Sequence, residues 1–175
     1  MRTALPAAVA LCALVACRPD DFLVADSGRG AAAADSAVHL DTAGIDALAG
    51  DWVSADGDVS AVLVTYYDIA SIEVTFDAGG SYTTHMVDGS GSTYDAVGTW
   101  TAGAGTVRAI TLTQTSPDAA TFAGIFGISD DEVLTYEVVQ TEPALAGVAA
   151  PTVDGGFGST GGVAEGENVQ TYRRP

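Results

Sequence analysis

The sequence has 175 residues, and its six Lys and Arg against 23 Asp and Glu give a formal net charge of −17. This length suits one domain with a sizeable core. A surface this acidic repels phosphate groups, which argues against nucleic acid as a partner and against adhesion to anionic lipid by charge alone.

The first predicted element is a cleavable leader. Arg2 gives a positive start, and Ala4 to Val15 form an apolar run that is too short to span a bilayer, which takes about 20 residues. This pattern is typical of a signal peptide. The run ends in Leu-Val-Ala-Cys17, which resembles the bacterial lipobox. The resemblance implies that residues 1–16 are removed and that Cys17 becomes the first residue, thioether-linked to diacylglycerol and labelled by palmitate.

Lipidation of Cys17 predicts a membrane partner and a location in the cell envelope. Arg18 follows the cysteine where an Asp would be similar to an inner-membrane retention signal. This favours the outer membrane if the source is a Gram-negative bacterium. An ordinary signal peptide with a chance cysteine is the alternative. A disulfide is not expected, because the other cysteine, Cys12, lies within the leader.

Residues 17–44 combine the lipidated cysteine with a predicted disordered acidic tether. The segment is rich in Ala, Asp, Ser and Gly and has no sustained apolar period. A flexible segment of about 27 residues reaches roughly 30 Å. Such a tether would hold a folded domain clear of the lipid surface.

Residues 45–175 form the predicted folded domain, which begins with an apolar segment around Trp52 and an Asp-Gly turn. The next stretch, near residues 58–68, favours one short helix lying over a barrel end. Its residues at helical spacing are Val59, Val62, Leu63 and Tyr66. Because the same stretch is rich in β-branched and aromatic residues, a strand is the alternative.

After this stretch the apolar residues recur with a period of two, which is typical of half-buried strands. The strands are predicted around 72–76, 82–86, 94–100, 110–112, 122–128 and 134–138, and a closing strand around 167–174. Seven or eight short strands joined by tight turns predict an antiparallel barrel or sandwich. The unpatterned stretch 141–166 is long for a compact domain and is interpreted as a lid or a mobile loop.

Six short pieces of this region are similar to bacterial lipocalin-like lipoprotein domains. They read LAGDW, FDAGGSYTTH, VGTWTA, VRAITLTQT, EVLTYEV and QTYRR. The resemblance covers residues 48–140 and 167–174. It implies an all-β fold, an antiparallel up-and-down β-barrel of about eight strands, with an interior that holds a small hydrophobic ligand. The helix near 58–68 and the 141–166 loop depart from the simplest pattern.

The barrel suggests two functions, and the sequence leaves both open. An eight-stranded barrel is either just filled by side chains or holds one small ligand. With a cavity, the protein is a non-catalytic carrier, and the predicted lining is Trp52, Phe76, Tyr82, Trp100, Phe122, Phe126 and Tyr136. With a filled barrel, it is a structural or interaction module of the envelope whose protein partner the sequence does not identify.

No catalytic site, cofactor or metal site is predicted, and a hydrolase is only the third hypothesis. The glycine-rich run 156–161 matches the dinucleotide fingerprint, but no strand precedes it in a βαβ unit. His85 is the only histidine in the predicted folded region, and that region has no cysteine. Neither a catalytic triad nor a structural zinc site is therefore expected. The acidic turns at 56–58 and 130–132 lack EF-hand spacing and are interpreted as solvated.

Overall fold

The structure, a computed structural model, describes residues 47–175. Eight strands follow one another along this part of the chain, and one short helix, α1 (Ala61–Tyr67), lies between the first two. A 3-10 turn at Asp56–Asp58 leads into the helix. The strands are β1 (Gly50–Ala55), β2 (Ile69–Phe76), β3 (Ser81–Asp88), β4 (Thr93–Ala102), β5 (Val107–Ser116), β6 (Ala120–Ile128), β7 (Val133–Glu142) and β8 (Gln170–Arg173).

The strands close into one barrel. Each strand pairs antiparallel with its neighbour in the chain, and β8 returns to pair with β1 where Arg173 lies opposite Val53. The predicted all-β, up-and-down barrel of eight strands with one short helix is therefore confirmed. Closure gives every strand a neighbour on both sides, although the short β8 pairs with β7 over four residues and with β1 at one.

The antiparallel order gives the barrel two different ends. At the N-terminal end, β1 begins, β8 ends, and short turns connect β2 to β3, β4 to β5 and β6 to β7. At the opposite end, here called the α1 end, the helix connects β1 to β2. The chain that precedes residue 50 therefore joins the barrel at the end remote from α1.

Strand alternation builds the core. On β3, Tyr82, Thr84 and Met86 face the interior and are buried, while the residues between them are more exposed. The same alternation continues across the barrel, so the period of two in the sequence marks the inward face of each strand. Every second side chain of each strand therefore faces the interior.

Two inward-facing glycines mark places where strands approach closely. A Cβ added at Gly98 would meet the carbonyl oxygen of Thr113 and would lie 2.8 Å from Cε1 of Tyr82. A Cβ at Gly124 would meet the carbonyl oxygen of Glu137. At both positions the closest atom belongs to the backbone, which cannot move aside as a flexible side chain could. Both positions therefore need glycine for space.

One carboxylate organises the β3–β4 turn. Asp88 Oδ1 accepts hydrogen bonds from the Ser90 hydroxyl at 2.7 Å and from the amides of Ser92 and Ser90 at 2.8 and 2.9 Å, and Tyr94 donates its hydroxyl to Oδ2 at 3.1 Å. These donors, the Ser90 hydroxyl foremost, lower the pKa of Asp88 from 3.8 to about 2. The turn is thus held most firmly while this side chain is ionised.

Helix α1 packs one side against the barrel. Val62 and Leu63 are buried, but Tyr66 is 58% exposed, so its predicted place on the apolar side is wrong. Tyr67 takes that place because it follows Leu63 by four residues, and it packs against the core. The helix ends at Asp68, which adopts the left-handed conformation with φ of 57°.

The segment 143–169, here called the strap, lies along the outer wall of β6 and β7. Alternation points Ile125 and Glu137 outward as register neighbours, yet both are buried. Strap residue Phe157 lies 3.5 Å from where a Cβ of Gly127 would stand. The stretch interpreted from sequence as a lid or mobile loop therefore packs against the wall of the barrel.

Candidate functional site

The barrel interior is the site that the sequence predicts, and all seven predicted lining residues lie in it. None of them is more than 5% exposed. They project from six different strands, so no single element carries the site. The seven are Trp52, Phe76, Tyr82, Trp100, Phe122, Phe126 and Tyr136.

A small interior cavity divides these residues into two groups. Its volume is about 10 Å³, and its lining consists of Val74, Phe76, Tyr82, Thr84, Leu112, Tyr136 and Tyr172. Three of the predicted residues therefore line it, while the two tryptophans and the two phenylalanines of β6 pack elsewhere in the core. A cavity of about 10–15 Å³ holds one water molecule, whereas small-molecule pockets measure about 300–1,000 Å³.

Aromatic rings fill the space that a larger cavity would need. The Phe76 and Trp100 rings meet edge to face with centroids 5.5 Å apart, and the Tyr136 and Tyr172 rings do the same at 5.9 Å. The Trp100 indole N–H donates to the carbonyls of Asp77 and Ser81 at the β2–β3 turn. These geometries are the favourable ones for aromatic pairs, and they hold the rings in fixed positions.

Trp52 closes the N-terminal end of the barrel. Its indole N–H donates to the Leu48 carbonyl at 2.8 Å. The guanidinium of Arg174 lies 3.8 Å from the centroid of the Trp52 ring and donates to the Ala49 carbonyl at 3.0 Å and to the Ala47 carbonyl at 3.3 Å. This arrangement joins the beginning and the end of the described chain through a cation–π contact and hydrogen bonds.

Several polar side chains lie in the interior and were not among the predicted site residues. Ser54, Thr84, Gln114 and Gln170 are all buried, and each has one polar atom with no hydrogen-bond partner among the described protein atoms. Alternation contained the signal for three of them. Ser54 follows Trp52 by two residues, Thr84 follows Tyr82, and Gln114 follows Leu112, so their inward direction was readable although their role was not.

A buried carboxylate fastens the strap to the outer wall. Glu137 is 1% exposed, and it accepts hydrogen bonds from the Gly158 amide at 2.7 Å, the Thr160 amide at 3.0 Å and the Thr160 hydroxyl. Asn168 donates to the Val138 carbonyl at 3.0 Å and ties the returning part of the strap to β7. The glycine-rich run 156–161 thus binds a carboxylate of its own chain, through backbone amides as anion-binding loops do.

His85 lies on the outer wall of the barrel, away from the interior. Its Nδ1 is 2.6 Å from Asp95 Oδ1, and the two side chains are 44% and 73% exposed. They border a shallow groove of about 280 Å³ that Glu73 and five uncharged residues of β2–β4 also line. This position agrees with the interpretation of His85 as a surface residue with a partner.

The acidic turns do not form a metal site in the described part of the chain. Asp58 pairs with Arg173 at 2.9 Å, which draws this carboxylate towards β8. No group of three His, Cys, Asp or Glu side chains within residues 47–175 is arranged to hold a metal ion.

The anchoring site lies outside the described residues. The leader at 1–16 and the whole 17–44 tether, including Cys17, precede residue 47, so their assignments stay predictions. Among the helices of residues 47–175, none has the length and apolarity needed to cross a bilayer.

Comparison with family models, with curated proteins and with solved structures found no match for this chain. The resemblance to lipocalin-like lipoproteins therefore rests on the sequence motifs.

Proposed function

We propose that this chain is a lipid-anchored protein of the bacterial envelope whose barrel is a non-catalytic structural or interaction module. The lipid would be carried by Cys17, and the tether would join the barrel at its N-terminal end. Of the two functions left open by the sequence, this one agrees better with the interior of the barrel.

The observation that carries the choice is the size of the interior cavity. About 10 Å³ among Phe76, Tyr136 and their neighbours suits one water molecule and no organic ligand. Carriage of a small hydrophobic molecule would need several aromatic side chains to leave their paired positions. Interiors are close-packed, and rearranging such a core costs free energy that the ligand would have to supply.

The anchoring part is tested by exchanging single cysteines in the full-length chain, expressed in a Gram-negative bacterium. The variant Cys17→Ser should lose palmitate labelling and leave the membrane fraction. The matched control is Cys12→Ser, which changes the leader but should keep both properties. If Cys17→Ser still takes up palmitate and sediments with membranes, the anchoring proposal is wrong.

The filled interior is tested by ligand detection on protein from its own host. Native mass spectrometry should show no non-covalently bound lipid besides the acyl groups proposed on Cys17, and an apolar fluorophore should not bind the barrel. Phe122→Ala is the positive control, because removing this fully buried ring opens an apolar cavity of the kind that binds small apolar probes. A non-covalently bound lipid that co-purifies at one molecule per chain would instead support carriage.

A further inference from the structure

The interior cavity combines apolar walls with one hydroxyl that lacks a protein partner. Thr84 on β3 is buried, and its Oγ1 makes no hydrogen bond with the described protein atoms. The same side chain lines the cavity of about 10 Å³. Buried polar atoms in folded proteins nearly always have a partner, protein or water, so this hydroxyl calls for one.

Other hydroxyl-bearing side chains surround the same cavity. Tyr82, Tyr136 and Tyr172 line it together with Thr84. Its remaining lining residues are apolar. A buried water needs about two to four hydrogen-bonding groups and about 10–15 Å³ of space. The cavity is large enough for one such molecule, and four of its seven lining residues carry hydroxyl groups.

We propose that the barrel core binds one ordered water molecule, held by the Thr84 hydroxyl in the cavity among the three tyrosines. An ion does not fit, because no charged side chain lines the cavity and an unpaired charge would lose its hydration. An organic molecule does not fit in the volume. A dry cavity would leave the Thr84 hydroxyl without any partner, which water avoids at little cost in immobilisation.

The polar surroundings continue from this cavity towards the α1 end. The pairing of Val53 with Arg173 places Ser54 beside Tyr172, and Gln170 follows two residues away on β8. Both Ser54 and Gln170 are buried and carry a polar atom without a described protein partner.

The test counts long-lived internal water by oxygen-17 magnetic relaxation dispersion on the folded protein, with a high-resolution crystal structure to locate it. Wild type should show a long-lived water beside Thr84. Thr84→Val, which keeps the shape but removes the hydroxyl, should show one fewer. Thr84→Ser keeps the hydroxyl and should retain the water. The matched control is Thr83→Val, because Thr83 is the exposed neighbour on the outer wall.

Three results would overturn the proposal. Wild type could lack any long-lived water, or Thr84→Val could retain the full number while staying folded by near-ultraviolet circular dichroism. The crystal structure could also show an organic molecule among Tyr82, Tyr136 and Tyr172 in place of water. If Thr84→Val does not fold, absence of the water from the crystal structures of wild type and Thr84→Ser is decisive on its own.

Discussion

Replacing Glu137 with Ala should release the strap from the wall of the barrel. The carboxylate is 1% exposed and accepts three hydrogen bonds, from the amides of Gly158 and Thr160 and from the Thr160 hydroxyl. The substitution removes all three acceptor contacts and leaves the donors facing an apolar wall that contains Ile125. The strap must then either keep unpaired donors or move into water.

The size of the effect follows from counting those donors. A buried donor left without its acceptor costs about 1–3 kcal/mol, so three donors at the lower bound give about 3 kcal/mol. Glu137→Gln keeps one carbonyl oxygen but turns an amide group towards the remaining donors, and we expect about 1–2 kcal/mol from it. The order of stability should therefore be wild type, then Glu137→Gln, then Glu137→Ala.

Two measurements separate loss of the strap from loss of the whole fold. Denaturant unfolding reports the global free energy, while hydrogen exchange at Gly158 and Thr160 reports local opening of the strap. If the strap opens by itself, the exchange protection of these two amides should fall about 100-fold for about 3 kcal/mol, with a smaller global change. The control is Glu73→Ala, an exposed glutamate on β2, which should stay within about 0.5 kcal/mol of wild type.

Two results would contradict the proposed role of Glu137. If Glu137→Ala leaves both the unfolding midpoint and the exchange of the Gly158 and Thr160 amides at wild-type values, the buried carboxylate does not hold the strap. An equal loss in Glu73→Ala would also contradict it, because the effect would then come from net charge and not from the three hydrogen bonds.

Two further predictions concern the barrel itself. Gly98→Ala should destabilise the fold by about 1–3 kcal/mol in denaturant unfolding because its Cβ meets the Thr113 carbonyl. Gly57→Ala, with open space around its Cβ, should not, and equal effects would refute the close-approach argument. Because the pKa of Asp88 is lowered from 3.8 to about 2, its contribution is present above pH 3.8 and is lost as pH falls towards 2. Asp88→Asn should therefore be less stable than wild type at pH 6, and melting curves should converge near pH 2; a constant difference would contradict the assignment.

Much of the barrel was predictable because its strands obey a local rule. In an antiparallel sheet with one buried face, inward residues alternate with outward ones, so Phe76, Tyr82 and Trp100 could be placed in the core from sequence alone. The short helix was predictable for a similar reason, from Val62 and Leu63 at helical spacing, although Val59 of the same pattern precedes the helix. Tyr66 was misplaced because the choice between two adjacent tyrosines depends on where the helix meets the barrel.

The role of the strap was not predictable. Its residues show no apolar period, because no regular apolar face of the strap packs on the barrel. The strap is held instead by hydrogen bonds from backbone amides and from a few side chains. Glu137 looks like an ordinary outward residue of β7, and only the returning segment with Gly158 and Thr160 makes it a buried anchor. Partners more than 20 residues apart leave no local pattern by which to find them.

The sequence by itself determined the strands and their inward faces, since each depends on residues close together in the chain. For the same reason it predicts the leader and the lipobox, whereas the up-and-down strand order was implied only by the family resemblance. Tertiary structure decided how much room the inward faces leave. The same seven aromatic residues could have surrounded a ligand or packed on one another. In the structure Phe76 packs on Trp100 and Tyr136 packs on Tyr172, beside a cavity of about 10 Å³. Volume is a property of side chains from many strands at once, and no local pattern encodes it.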